Sequence, residues 1–300
     1  MNGFLIANKP TGRTSSNVVV FVRKRLPRGT TVGHGGTLDP EASGVLPVCV
    51  GSAARLFDYI IDKKKTYVAE LQLGQVTDTQ DATGQVTEER EVTVGVEELK
   101  AVLAQFIGEI EQIPPMYSAI KRDGKRMYQL ARKGETVELE ARKCRVDDVR
   151  FAGCTGENRY RIEVDCGKGV YIRTLCHDIG QALGCGAHMA TLQRTKAGIF
   201  SLEDALTREQ IDALAQEGKL EDALLPLDAP IQHLPAVHVG ENARHAVLNG
   251  NPLKPRWLKE AAPKGEEAVR VYLCGEFAGI GKVEDDGSIR FRAMMLEVSQ

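Results

Sequence analysis

Apolar and polar positions change period repeatedly along this chain. GFLIANKP (residues 3–10) is a continuous apolar run stopped by Pro10, the pattern of a short strand. TSSNVVVFVRKRL (14–26) opens on hydroxyl residues and closes on cations, which predicts a capped helix. VLPVCVG (45–51) reads as a buried strand, SAARLFDYIID (52–62) as a second helix, and KTYVAELQLG (65–74) alternates as a strand. DTQDATGQV (78–86) has turn composition. In VEELKAVLAQFIGEI (96–110), Leu99, Val102, Leu103 and Phe106 share one helical face, so a helix is predicted over that whole stretch. YSAIK (117–121) reads as a strand and RMYQLARKG (126–134) as a helix. CRVDDVRFAG (144–153) and RYRIEVDCG (159–167) are strands around a turn, and IRTLCHDIGQALG (172–184) is a helix closed by Gly184.

Near Leu225 the texture shifts. LLPLDAPIQHLPAVHVG (224–240) is rich in proline and weakly periodic, which is linker composition. A short helix (241–250) and strand-like runs at 268–275, 277–285 and 289–296 follow. The expected fold is α+β: a central mixed, mostly antiparallel sheet flanked by helices over residues 1–230, then a small β-rich module over 231–300.

Composition narrows the class. Hydrophobic residues make up 42% of the 300, enough for a sizeable core, and no apolar run approaches the roughly 18 residues of a membrane span. MNGFLIANKP is too short in apolar residues for a signal peptide. Seven scattered cysteines fit reduced thiols, so a cytoplasmic protein is expected. The net charge of −2 argues against a uniformly basic nucleic-acid binder. The charge is uneven, however: residues 121–145 hold nine Lys/Arg against four Asp/Glu, and Lys63, Lys64 and Lys65 form another basic run. These read either as ordinary solvated surface or as a local lane suited to a phosphate backbone.

The stretch GHGGTLDPEASGVLP (33–47) places Asp39 among permissive glycines. Taken alone, it is a tight turn with Asp39 as a capping residue, or a loop that presents a carboxylate and leaves room for a ligand backbone. Lys9 belongs to no phosphate-binding P-loop, because the glycine spacing is missing and Pro10 follows. Cys166, Cys176, His177, Cys185 and His188 lack the paired-cysteine spacing of zinc sites, so no metal is expected.

Five segments in order resemble the tRNA pseudouridine-55 synthases of the TruB family: GFLIANKPTGRTSS, the Asp39 stretch, KTYVAELQLGQVTDTQDATG, IPPMYSAIK, and CGKGVYIRTLCHDIGQALGCGAHMATLQRTKAGIF. The resemblance spans roughly the first 230 residues by that ordering, and the C-terminal module is similar to a PUA-type RNA-binding domain. Four positions depart from the family's pattern: Gly35, Gly167, Val170 and Gln193. The resemblance implies a cofactor-free isomerase that flips a uridine out of the TΨC loop of tRNA, breaks its N-glycosidic bond and rejoins the base through carbon. It implies Asp39 as the catalytic carboxylate, acting as a nucleophile or in forming a ribosyl intermediate. Arg173 would keep Asp39 ionised, and Tyr67 would stack on the base or move a proton. Tyr171 and Leu192 would line the pocket, His34 would fill the gap left by the base, and Lys9 would support the loop. Lys65 and Lys121 complete the substrate-binding set. A monomer with no obligate protein partner and no membrane association is expected. The rival classes are a tRNA-binding folding helper, which could coexist with catalysis, and a phosphohydrolase, disfavoured because Asp39 is expected to lack a paired carboxylate to hold magnesium.

Overall fold

The computed structural model describes residues 1–61, 63–115, 121–122, 125–126, 140–263 and 268–296. In chain order the elements begin β1 (Gly3–Lys9), α1 (Ser15–Arg23), β2 (Val32–His34), β3 (Ser43–Val50), α2 (Phe57–Ile61), β4 (Lys65–Leu73), β5 (Gln75–Thr77) and β6 (Val86–Glu89). There follow α3 (Val96–Leu103), β7 (Gly108–Gln112), the hairpin β8 (Lys121–Arg122) and β9 (Lys125–Arg126), β10 (Arg142–Gly156) and β11 (Arg159–Cys166). Next come α4 (Ile172–Ala182), β12 (Ala187–Ala197), β13 (Phe200–Ser201), α5 (Arg208–Gln216), β14 (Ala236–Val239), α6 (Arg244–Leu248), β15 (Val269–Leu273), β16 (Glu276–Val283) and β17 (Ile289–Met294).

The large sheet runs β1-β3-β12-β4-β11-β10-β7, with β2 on β3 and β13 on β12. Its described pairings are antiparallel except β12 with β3, so it is the mixed, mostly antiparallel sheet expected. β1 is an edge strand whose outer side is closed by backbone bonds to Leu206 and Leu225, which removes a free pairing edge. A second sheet, β14-β15-β16-β17, forms the C-terminal unit. Its Ile280 and Met295 join one apolar cluster with Phe4, Leu56 and Phe200, and Tyr272 donates to Asp228 at 2.6 Å. The C-terminal unit thus packs directly on the larger one.

Several sequence expectations are corrected here. The helix predicted over 96–110 stops at Leu103, turns once through Ala104–Phe106, and becomes β7. Gly108, at φ 110, allows the reversal. The helix at 52–62 is half a tight 3-10 turn, Gly51–Leu56. Within the stretch read as linker, Ala236–Val239 is a strand parallel to β15. Neither β12 nor α5 is legible as a regular run. The strand at 117–121 and the helix at 126–134 lie outside the described residues apart from the backbone of β8 and of Arg126.

Candidate active site

The loop between β2 and β3 carries Asp39 and is fastened on every side. The capping box of α1, Thr14 with Asn17, sets Ser15 at the first helical position. From there Ser15 Oγ accepts from the Leu38 N–H at 2.9 Å and donates to the Leu38 carbonyl at 3.2 Å. Lys9, 0% exposed at the end of β1, donates from Nζ to Pro40 O at 2.9 Å, to Pro10 O at 3.0 Å and to Arg13 O. Burial pulls its ammonium down to about 8, partly offset by Glu41 and Asp39. Gly12 N–H also donates to Pro40 O at 2.9 Å. The residues flanking Asp39 are therefore held from both β1 and α1.

A third anchor is Arg194, 1% exposed on β12. Its guanidinium donates to Val45 O at 2.8 Å, Gly36 O at 3.1 Å and Thr37 O at 3.5 Å, gripping both ends of the loop. Arg194 lies opposite Tyr67 of β4 in the ladder, close enough for its charge to act on the phenol. Gly44 lets β12 come this close: a Cβ there would sit 2.2 Å from Arg194 O, and its φ is 101. At Gly35 a Cβ would meet Ile60 Cδ1 at 2.5 Å. The space beside these two glycines is filled by the protein itself, not left for a ligand backbone. Gly33, with nothing within 4 Å of its added Cβ, does border open space.

Asp39 faces a cleft of about 560 Å³ lined also by Tyr67, Arg173, Tyr171, Leu192 and Lys65. Arg173, 5% exposed near the start of α4, places Nε 3.0 Å from Asp39 Oδ2, while the Asp39 side chain keeps 39% exposure. Its Nη1 lies 3.6 Å from Asp81 Oδ2 and 3.5 Å from Thr79 O. One buried guanidinium is thus shared by two carboxylates. Burial pushes the Asp39 carboxyl above its ordinary range; Arg173 opposes this, Asp81 reinforces it, and Lys9 opposes it. Burial also raises the Tyr67 phenol, against the pull of Arg194, so Tyr67 stays protonated at neutral pH.

The structure therefore gathers Asp39, Tyr67, Arg173, Tyr171, Leu192 and Lys65 at one cleft. Lys9 stands behind the loop, and His34 is absent from the lining; its Nδ1 is buried without a partner and burial lowers its pKa. The backbone of Lys121 is in β8, but its side chain, like those of Arg122, Lys125 and Arg126, lies outside the described residues. In the other basic run, Lys63 Nζ is 2.9 Å from His233, Lys64 pairs with Asp147 at 3.0 Å, and Lys65 donates to Ile61 O and Lys63 O. Arg142, Lys143 and Lys168 are exposed cations on the rim.

Three contributors escaped the sequence reading: Asp81, Arg194 and Gln112. Gln112, 2% exposed, accepts from Tyr171 N at 2.9 Å and donates to Tyr171 O at 3.2 Å, which fixes the residue preceding α4. Asp81 also corrects the expectation of a solitary carboxylate: the second one comes from the turn after β5, and Arg173 lies between the two.

Residues 24–172 match the TruB family pseudouridylate synthase N-terminal domain, residues 173–232 the tRNA pseudouridylate synthase B C-terminal domain, and residues 235–294 the pseudouridine synthase II TruB C-terminal region. The chain is 44% identical over 298 residues to the tRNA pseudouridine synthase B of Ectopseudomonas mendocina (strain ymp), covering 98% of this chain and 95% of that one. It is 45% identical over 288 residues to that of Alkaliphilus oremlandii (strain OhILAs), covering 95% and 94%. Among solved structures it is similar to a crystal structure of a Cbf5-Nop10-Gar1 complex, with a TM-score of 0.74, 28% identity, and coverage of 98% of this chain and 85% of that one.

Proposed function

This chain belongs to the TruB family of pseudouridylate synthases and is an isomerase of tRNA uridine; on that premise we propose that its target is uridine 55 of the TΨC loop and that Asp39 is the catalytic carboxylate. The observation that carries the reading is the Asp39–Arg173 pair, 3.0 Å apart in a cleft rimmed by cations. A flipped uridine enters that cleft and lies against Tyr67 and Leu192. Arg173 favours the ionised form of Asp39 against the cost of burial, so the carboxylate is available to the ribose or the base. The bond from C1′ to N1 breaks, the base turns, C1′ joins C5, the C5 proton leaves to solvent, and N1 takes up a proton in its place, so the product is an isomer of the substrate. Electrons balance without an oxidant or an energy source. The fixed loop supports this role, because a carboxylate carried on a backbone held by β1, α1 and β12 and paired with Arg173 needs little reorganisation at the moment of reaction.

Opening an RNA loop to extract a base would also help misfolded tRNA rearrange, so a folding role is part of the proposal. Tritium release from C5-labelled uridine tests the target. An isolated TΨC stem-loop should release one equivalent, and a loop with cytidine at position 55 and label elsewhere should release none. Equal release from both would sink the assignment of uridine 55.

A further inference from the structure

The first 38 residues hold Lys9, Arg13, Arg23, Lys24, Arg25 and Arg28 and no Asp or Glu, in a chain whose net charge is −2. A second cavity of about 370 Å³ opens on this stretch, sharing no lining residue with the catalytic cleft. That volume lies within the roughly 300–1,000 Å³ of ligand pockets. Arg13, Lys24, Arg25 and Arg208 line it with Phe21 and Asn17. The Arg25 guanidinium lies 3.4 Å over the Phe21 ring centroid and that of Arg208 lies 4.7 Å from it. Arg25 is further fixed by donating to Phe21 O at 2.8 Å and by pairing with Asp212. Among the described residues, that is the ion pair that reaches the cavity wall, so the cavity keeps a cationic excess.

We propose that this cavity is a second tRNA contact, taking a phosphate-bearing nucleotide outside the stem-loop that occupies the catalytic cleft. The proposal rests on the tRNA isomerase reading above. Guanidinium planes stacked on an aromatic ring offer a base a flat partner and a phosphate a fork of donors. The neighbouring cations add the sequence-independent attraction of a phosphate backbone. The concave shape and the aromatic-guanidinium stack favour a nucleotide over a flat membrane surface. The cavity is also in fixed relation to Asp39. The carbonyl of Arg13 and that of Pro40 both accept from Lys9 Nζ, and Gly12 N–H donates to Pro40 O. A nucleotide seated here therefore sets where the rest of the tRNA stands relative to Asp39.

The test is steady-state turnover of full-length tRNA and of the isolated stem-loop by wild type and by the double variant Lys24→Gln/Arg208→Glu. Arg208 opens α5, where a carboxylate suits the helix dipole, and Lys24 is exposed, so the variant should melt as wild type does. The expected result is a KM for full-length tRNA raised about tenfold, with a salt slope shallower by about one to two, and an unchanged kcat/KM for the stem-loop. Equal effects on both RNAs, or none on either, would overturn the proposal. Adenosine monophosphate would be added as a third arm. If it inhibits wild type but not the variant while the KM for tRNA is the same in both, the cavity serves a free nucleotide and the proposal fails. Absence of turnover by wild type on either RNA would remove the isomerase reading and this proposal with it.

Discussion

The floor and the rim of the catalytic cleft are built on opposite plans. At the floor Arg173 and Arg194, and behind the Asp39 loop Lys9, are all at or below 5% exposure, and each cation has named oxygen partners. At the rim, Arg142 and Lys143 face water. A buried charge is costly unless it is paired and hydrogen-bonded, so the floor charges are tied to one geometry. Exposed charges have little fixed geometry and act mainly through the field they create. On the proposed reading the difference is a division of labour: fixed charge for chemistry, exposed charge for holding a polyanion.

Four variants should break or sharpen that division, from the largest effect downward. Asp39→Asn should lower single-turnover rate by about 10³-fold or more while stem-loop affinity stays within a few-fold, measured by tritium release and filter binding. Arg194→Lys should cost about 3 kcal/mol in urea unfolding, because carbonyls at both ends of the loop lose a donor in a site sealed from water. Its rate should fall with kcat rather than with KM. Arg142→Glu with Lys143→Glu should raise KM about tenfold and flatten its salt dependence, leaving the rate at saturating RNA in place. Asp81→Asn should have the smallest effect, a displacement of the acid limb of the rate profile. On the proposed reading Asp39 acts ionised, and since its carboxyl is raised, rate should be lost as pH falls through a value above the ordinary 3.8. Removing the Asp81 charge takes away one of the raising influences, so the limb should move to lower pH; movement to higher pH would contradict the shared-guanidinium geometry.

What was legible in the sequence follows from how local each feature is. The strand-turn-helix around Lys9, the glycine loop around Asp39 and the helix carrying Arg173 each lie within one short segment, and all meet at the cleft or behind its loop. Arg194 and Asp81 were not legible, because what they do depends on which strand or turn lies across from them. Arg194 reaches the loop since β12 runs parallel to β3 at Gly44. β12 itself hides in sequence: it buries His188 and Arg194 beside Met189 and Leu192, and register shifts interrupt its alternation against β4. The helix expected over 96–110 overran because Leu99, Leu103, Phe106 and Ile110 keep helical spacing past the true end. All four pack on one core cluster, the last from a strand. Apolar spacing reports which residues face the core and is blind to a change of backbone conformation within the run.

The division between floor and rim is tested most directly by one paired measurement: the single-turnover rate at saturating stem-loop for Asp39→Asn beside the Arg142→Glu/Lys143→Glu variant. The account predicts a rate near zero for the first, with RNA still bound, and a near wild-type rate for the second. Comparable loss in both, or a wild-type rate in Asp39→Asn, would contradict it.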